Sequence, residues 1–170
     1  MGGYVGLTFA HTYPRRLLGL ALVASQAAAD TPDRRQFRLN AVRVVQRKGV
    51  GVVADEMPAR LTCQPQWVGP LKALILNTNS QSIQAALRGM AERPDATDWL
   101  AEISVPALVI AGAQDALIPI EQARLMAQML QHAWLVEIDG AAHMPMLEAP
   151  GAVAEALLQL AEQATSGASG

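Results

Sequence analysis

Asp115 and His143 are the residues whose types and setting could do chemistry. An imidazole titrates near neutrality, so it can take up and return a proton. A carboxylate on its second ring nitrogen would fix the tautomer and stabilise the imidazolium. Asp115 lies in the stretch VPALVIAGAQDALIP, residues 105–119, and His143 closes a DGAAH turn. Their separation, 143 − 115 = 28 positions, is the length of one helix plus one strand. Gly112 and Gly140 stand just before them and permit tight turns. Taken singly, an aspartate after a strand reads as a turn or cap residue, and a histidine among glycine and alanine as structural. The acid-then-histidine order on successive strand ends favours reading them together.

Three short apolar runs must position this pair. Residues 106–111 carry β-branched side chains and read as a buried parallel strand; residues 134–138 read as a second. In open α/β sheets, ligands bind at the carboxyl ends of such strands. Residues 17–25, LLGLALVAS, read as a third strand. It follows a helix over 3–13 that Pro14 ends, with Val5, Leu7, Phe9 and Ala10 on its apolar face. Helices over 120–130 and 150–163 complete the rhythm, with Leu125, Met126 and Met129 inward on one and Val153, Ala156, Leu157 and Leu160 inward on the other. Residues 165–170, TSGASG, read as a disordered tail.

Residues 26–100 contain no convincing strand. Thr31-Pro32 marks a helix start, and Phe37, Ala41, Val44 and Val45 form a stripe broken at Gly49. A weaker helix covers 50–61. Trp67, Leu71, Leu74 and Ile75 recur at three and four, as do Ile83, Leu87 and Met90 after an Asn79-Ser80 cap; Arg93-Pro94-Asp95 ends that helix. A helical insertion above the carboxyl edge of a sheet suits a cover over a site, the alternative being a layer that only packs.

Bulk composition agrees with a sheet covered by helices on both faces: 51% of the 170 residues are hydrophobic and 16% charged. A net charge of −2 gives no basic field for nucleic acid. Cys63 is the single cysteine, so no intrachain disulfide and no cysteine-built metal site can form; it reads as a small buried side chain. No run is long enough to span a membrane, and no signal peptide is visible, which leaves a cytoplasmic location as the expectation. His11 is given no function. No strand is followed by Gly-x-Gly-x-x-Gly, which disfavours a nucleotide-binding domain.

GAQDALIP followed by DGAAHMPMLEAP resembles the acid and histidine segments of the α/β-hydrolase superfamily, most closely its esterase and enol-lactonase-like branch. The opening MGGYVGLTFAHTYPRRLLGLALVAS is similar to what directly follows the nucleophile elbow, Gly-x-Ser-x-Gly, in that family. The resemblance implies a partial α/β-hydrolase fold: a mostly parallel three-stranded sheet remnant with flanking helices. Residues 1–25 and 101–164 would be the carboxyl half of the core and 26–100 the helical cap. It makes Asp115 the triad acid, His143 the triad histidine and Met1 the position that donates one oxyanion-hole N–H. The serine and the five preceding strands would lie outside the chain; Ser25 comes near the site but has no elbow. Trp67, Leu71, Ile75, Leu87 and Met90 are candidates for an acyl pocket.

The implied reaction is hydrolysis of a small carboxylic ester or lactone by a Ser-His-Asp mechanism in the full-length protein, with no metal or organic cofactor. The alternative is a non-catalytic fragment or subunit that binds a protein partner through an open sheet edge. That edge, beside the strand over 17–25, also predicts self-association.

Overall fold

A computed structural model describes residues 1–166. The chain runs α1 (Gly2–Thr12), β1 (Leu20–Val23), α2 (Pro32–Lys48), α3 (Gly51–Glu56), α4 (Pro58–Leu61), α5 (Pro65–Leu76) and α6 (Ser80–Glu92). It continues through β2 (Ala107–Gly112), α7 (Ile120–Met129), β3 (Ala133–Ile138), α8 (Pro145–Glu148) and α9 (Pro150–Ser166). The strands pair in parallel in the order β1-β2-β3, Leu20 beside Ala107 and Ala107 beside Ala133.

β2 is the centre of the fold because every one of its residues is buried. Its alternating side chains serve two cores. Ala107, Val109 and Ala111 pack with Leu7 and Ala10 of α1, Leu20 and Leu22 of β1, and Ala123 and Met126 of α7. Leu108 and Ile110 pack with Ile138, Val153, Ala156 and Leu160 on the opposite face. Each fully buried leucine or isoleucine here contributes roughly 1.5–3 kcal/mol.

Helix starts follow the capping signals. The Thr31 side chain accepts from Arg34 N–H with Pro32 at the first helical position, and Asn79 accepts from Gln81 N–H. Gly49, at φ 78°, closes α2 in a conformation that suits glycine. α2 to α6 occupy the stretch between β1 and β2 without a strand. Its two ends are clasped together: Ala96 N–H donates to Ala27 O at 3.0 Å, and Ala29 N–H donates to Asp95 at 3.1 Å. A buried ion cluster reinforces the clasp, with Asp30 taking Arg38 and, at 2.8 Å, Arg93. Burial alone would raise Asp30, but hydrogen bonds and charge from Arg38 and Arg93 outweigh it and hold the carboxyl below its ordinary range.

Several predicted apolar faces are corrected. Val5 and Phe9 of α1 are exposed, and Leu7 and Ala10 carry its burial. On α2 the buried residues are Val42 and Val45, with Phe37 and Val44 exposed. Leu74, Leu125 and Leu157 also face outward. On α2 the buried stripe is turned by one position; on α1, α5 and α9 it is narrower than predicted, the buried residues being part of the predicted set. Helix α9 extends to Ser166, two residues into the stretch expected to be disordered; residues 167–170 lie outside the described residues.

Candidate functional site

The parallel strands put β2 and β3 side by side, so the loops at their carboxyl ends emerge at one edge of the sheet. After β2 the chain turns tightly, with Asp115 N–H donating to Gly112 O at 3.2 Å. Asp115 then caps its own loop: Oδ1 accepts from Leu117 N–H at 2.8 Å and Ile118 N–H at 3.0 Å. The histidine loop lies directly across it, and Gln114 N–H donates to Ala141 O at 2.9 Å. This crossing explains Gly112. A Cβ there would sit 2.2 Å from Ala142 O and 2.4 Å from Ala141 O, so the two loops touch backbone to backbone.

The result is a hydrogen bond of 2.8 Å between Asp115 Oδ2 and His143 Nδ1. The Asp115 side chain is 2% exposed and that of His143 21%. A carboxylate only accepts, so Nδ1 carries a proton, and in the neutral ring Nε2 keeps the lone pair. Chemically, an imidazole anchored through one nitrogen by a carboxylate is the arrangement that general-base catalysis uses.

Met1 sits at the start of α1, its carbonyl accepting from Tyr4 and Val5 N–H and its side chain largely exposed. Partial burial of the amine, then the charges of Arg38 and Arg93, lower its pKa. Ser25, buried, lies against Gly3, where a Cβ would meet its Oγ at 2.1 Å; this seats the start of α1 on the carboxyl end of β1, the same sheet edge as the pair.

Of the five candidate pocket residues, Met90 lines a cavity of about 790 Å³ together with Met1, Tyr4, Val5, Phe9 and Arg93. Trp67, Leu71, Ile75 and Leu87 are not among its lining residues, and neither are Asp115 and His143; the cavity runs along α1. Leu71 is core, 3% exposed. Cys63 is exposed rather than buried, because it lies at the seam between α4 and the histidine loop rather than inside the helices. Its thiol, pushed up by partial burial and then by the Glu148 carboxylate, donates to Gly140 O at 3.2 Å. His11 stacks on Trp99 and bonds to Glu102 at 2.9 Å. Among the described residues no group of three or more His, Cys, Asp or Glu could hold a metal ion, and no helix is long and apolar enough to cross a membrane.

Sequence reasoning missed Glu148. Its carboxylate accepts from Ala142 N–H at 2.7 Å, Cys63 N–H at 2.9 Å and the Thr62 hydroxyl at 2.6 Å. Burial would raise it; those hydrogen bonds outweigh burial and hold it below the usual carboxylate range. The available signal was an acid five positions past His143, but its partners Thr62 and Cys63 are remote in sequence.

Residues 1–150 match the α/β hydrolase fold, and the chain belongs to that family. Its relatives include esterases. It is 36% identical, with a TM-score of 0.91, to a thermophilic esterase from Thermogutta terrifontis in malate-bound form, covering 96% of this chain and 62% of that one. It is 26% identical over 185 aligned positions to the pimeloyl-[acyl-carrier protein] methyl ester esterase of Yersinia enterocolitica, covering 98% of this chain and 68% of that one. The enol-lactonase of Burkholderia xenovorans shares the fold at 23% identity and a TM-score of 0.84, over 95% of this chain and 63% of its own. The chain thus spans just under two thirds of the two solved relatives.

Proposed function

We propose that the full-length protein is a serine hydrolase of small carboxylic esters or lactones and that this chain carries its acid and its base. The observation that carries this reading is the 2.8 Å hydrogen bond from His143 Nδ1 to Asp115 Oδ2, with the acid almost wholly buried. Asp115 orients His143; Nε2 takes the proton from a serine as it attacks the carbonyl, then returns it to the leaving alcohol. That serine directly precedes Met1 in the longer protein, and Met1 N–H, then an amide, donates to the oxyanion. The helices over 26–100 act as the cap, and the substrate is a small molecule, as it is for the esterases it resembles.

The test compares this chain with one extended upstream through an in-frame Gly-x-Ser. With a short p-nitrophenyl ester, the extended protein turns over, and Asp115→Asn lowers its kcat by about 10⁴-fold. The chain as given hydrolyses no faster than its own His143→Ala variant. Activity in the given chain that disappears with His143 would show another nucleophile and overturn the assignment.

A second reading rests on a separate observation. β1 is an edge strand, and Leu18, Val5 and Tyr13 near it are more than half exposed. This open flank favours self-association or a protein partner for the chain on its own.

A further inference from the structure

We infer that Glu148 is a positioning residue that couples the seat of the helical segment over 26–100 to the orientation of His143; the inference rests on His143 being the base proposed above. Glu148 Oε2 takes the N–H of Ala142, the residue next to His143, at 2.7 Å. Its Oε1 takes the Thr62 hydroxyl at 2.6 Å and the Cys63 N–H at 2.9 Å. One oxygen faces the histidine loop and the other faces the end of α4.

Two further bonds flank this bridge. His143 N–H itself donates to Leu61 O at 3.1 Å. Gln64 Nε2 donates to Glu148 O at 3.1 Å and to Gly140 O at 3.4 Å. Residues 61–64 are therefore stitched to the loop on both sides of the imidazole. Among the described residues, the groups hydrogen-bonded to the Glu148 side chain are donors, and an ionised carboxylate is the side chain that accepts on both oxygens and donates on neither. Ala142 and Thr62 are 3% and 5% exposed, so a lost partner is not replaced cheaply by solvent. A shift of residues 61–64 reaches the imidazole through this carboxylate and through the backbone bond at His143.

Glu148→Gln is the direct probe. Its amide keeps the shape but turns an NH₂ toward donors on one side or the other. Thr62→Val removes a bond from the far segment while leaving the Ala142 bond in place. Isotope-labelled chains are read by amide hydrogen exchange and by the downfield Nδ1–H resonance of His143. In Glu148→Gln, exchange at Ala142 and His143 should quicken by about tenfold, the scale of one charge-assisted hydrogen bond. The Nδ1–H resonance should shift or broaden, with Val109 and Ile110 of β2 exchanging as in the wild type. Thr62→Val should show the same pattern more weakly, and it decides the matter if Glu148→Gln does not fold.

Unchanged exchange at Ala142 and His143 would overturn the inference. So would a uniform rise that includes β2, since that is general stability and not positioning. Asp115→Asn separates the two readings. A wild-type Nδ1–H resonance that ignores this substitution counts against the acid–histidine pair, whatever Glu148 does to exchange.

Discussion

The two flanks of the sheet are finished differently. Where β2 and β3 end, polar groups find partners inside the chain: Asp115 accepts from Leu117, Ile118 and His143, and the two loops touch through their backbones at Gly112. Along α1 and β1 the surface is apolar and open, with Val5, Phe9, Tyr13 and Leu18 exposed and a cavity of about 790 Å³ beside them. The difference teaches that the acid–imidazole geometry is made by two strands, their crossing loops and the bonds from residues 61–64 that brace the histidine loop, all away from the open flank along α1.

The sharpest way to break that contrast is at Gly112. Gly112→Ala places a methyl against the carbonyls of Ala141 and Ala142, and unfolding in urea should show a loss of about 3 kcal/mol, at the upper end for overpacking. A near-neutral result would mean the loops are free to part.

A smaller effect is expected at the ion cluster that closes the helical segment. Asp30 and Glu148 are both held below their ordinary pKa, so each stabilises the folded state fully above the unfolded carboxylate value, about 4. That contribution is lost as pH falls through the lowered folded values. Thermal midpoints should therefore drop below about pH 4, and Asp30→Asn should lower the midpoint at neutral pH and flatten the acid limb.

The smallest change is expected on the open flank. Val5→Ser with Phe9→Ser should leave monomer stability within about 0.5 kcal/mol, the range for exposed positions. Sedimentation should nevertheless show less self-association. A large stability loss would instead mean that these side chains belong to the core.

Much of this was legible in residue order. The three strands, the caps at Thr31 and Asn79, and the acid–histidine pairing are local signals: short apolar runs, capping side chains, and turns rich in glycine. Helix faces were harder. In α1 and α9 the apolar residues outnumber the positions a single face can bury, so periodicity could not say that Leu7 is inside and Val5 outside, or Leu160 inside and Leu157 outside. Cys63 and Glu148 were illegible for another reason. Their environment is made by segments that meet only after folding, with Thr62 and Glu148 86 positions apart.

The clasp between Ala27 and Ala96 has one more consequence. Because departure from the sheet and return to it occur one hydrogen bond apart, the excursion between them is a closed circuit. The entropy of closing such a circuit grows only with the logarithm of its length. Residues can be added to or removed from its stretches away from residues 61–64 at small cost to the three strands, so the shape of the helical segment can diversify while the acid and the imidazole stay in register.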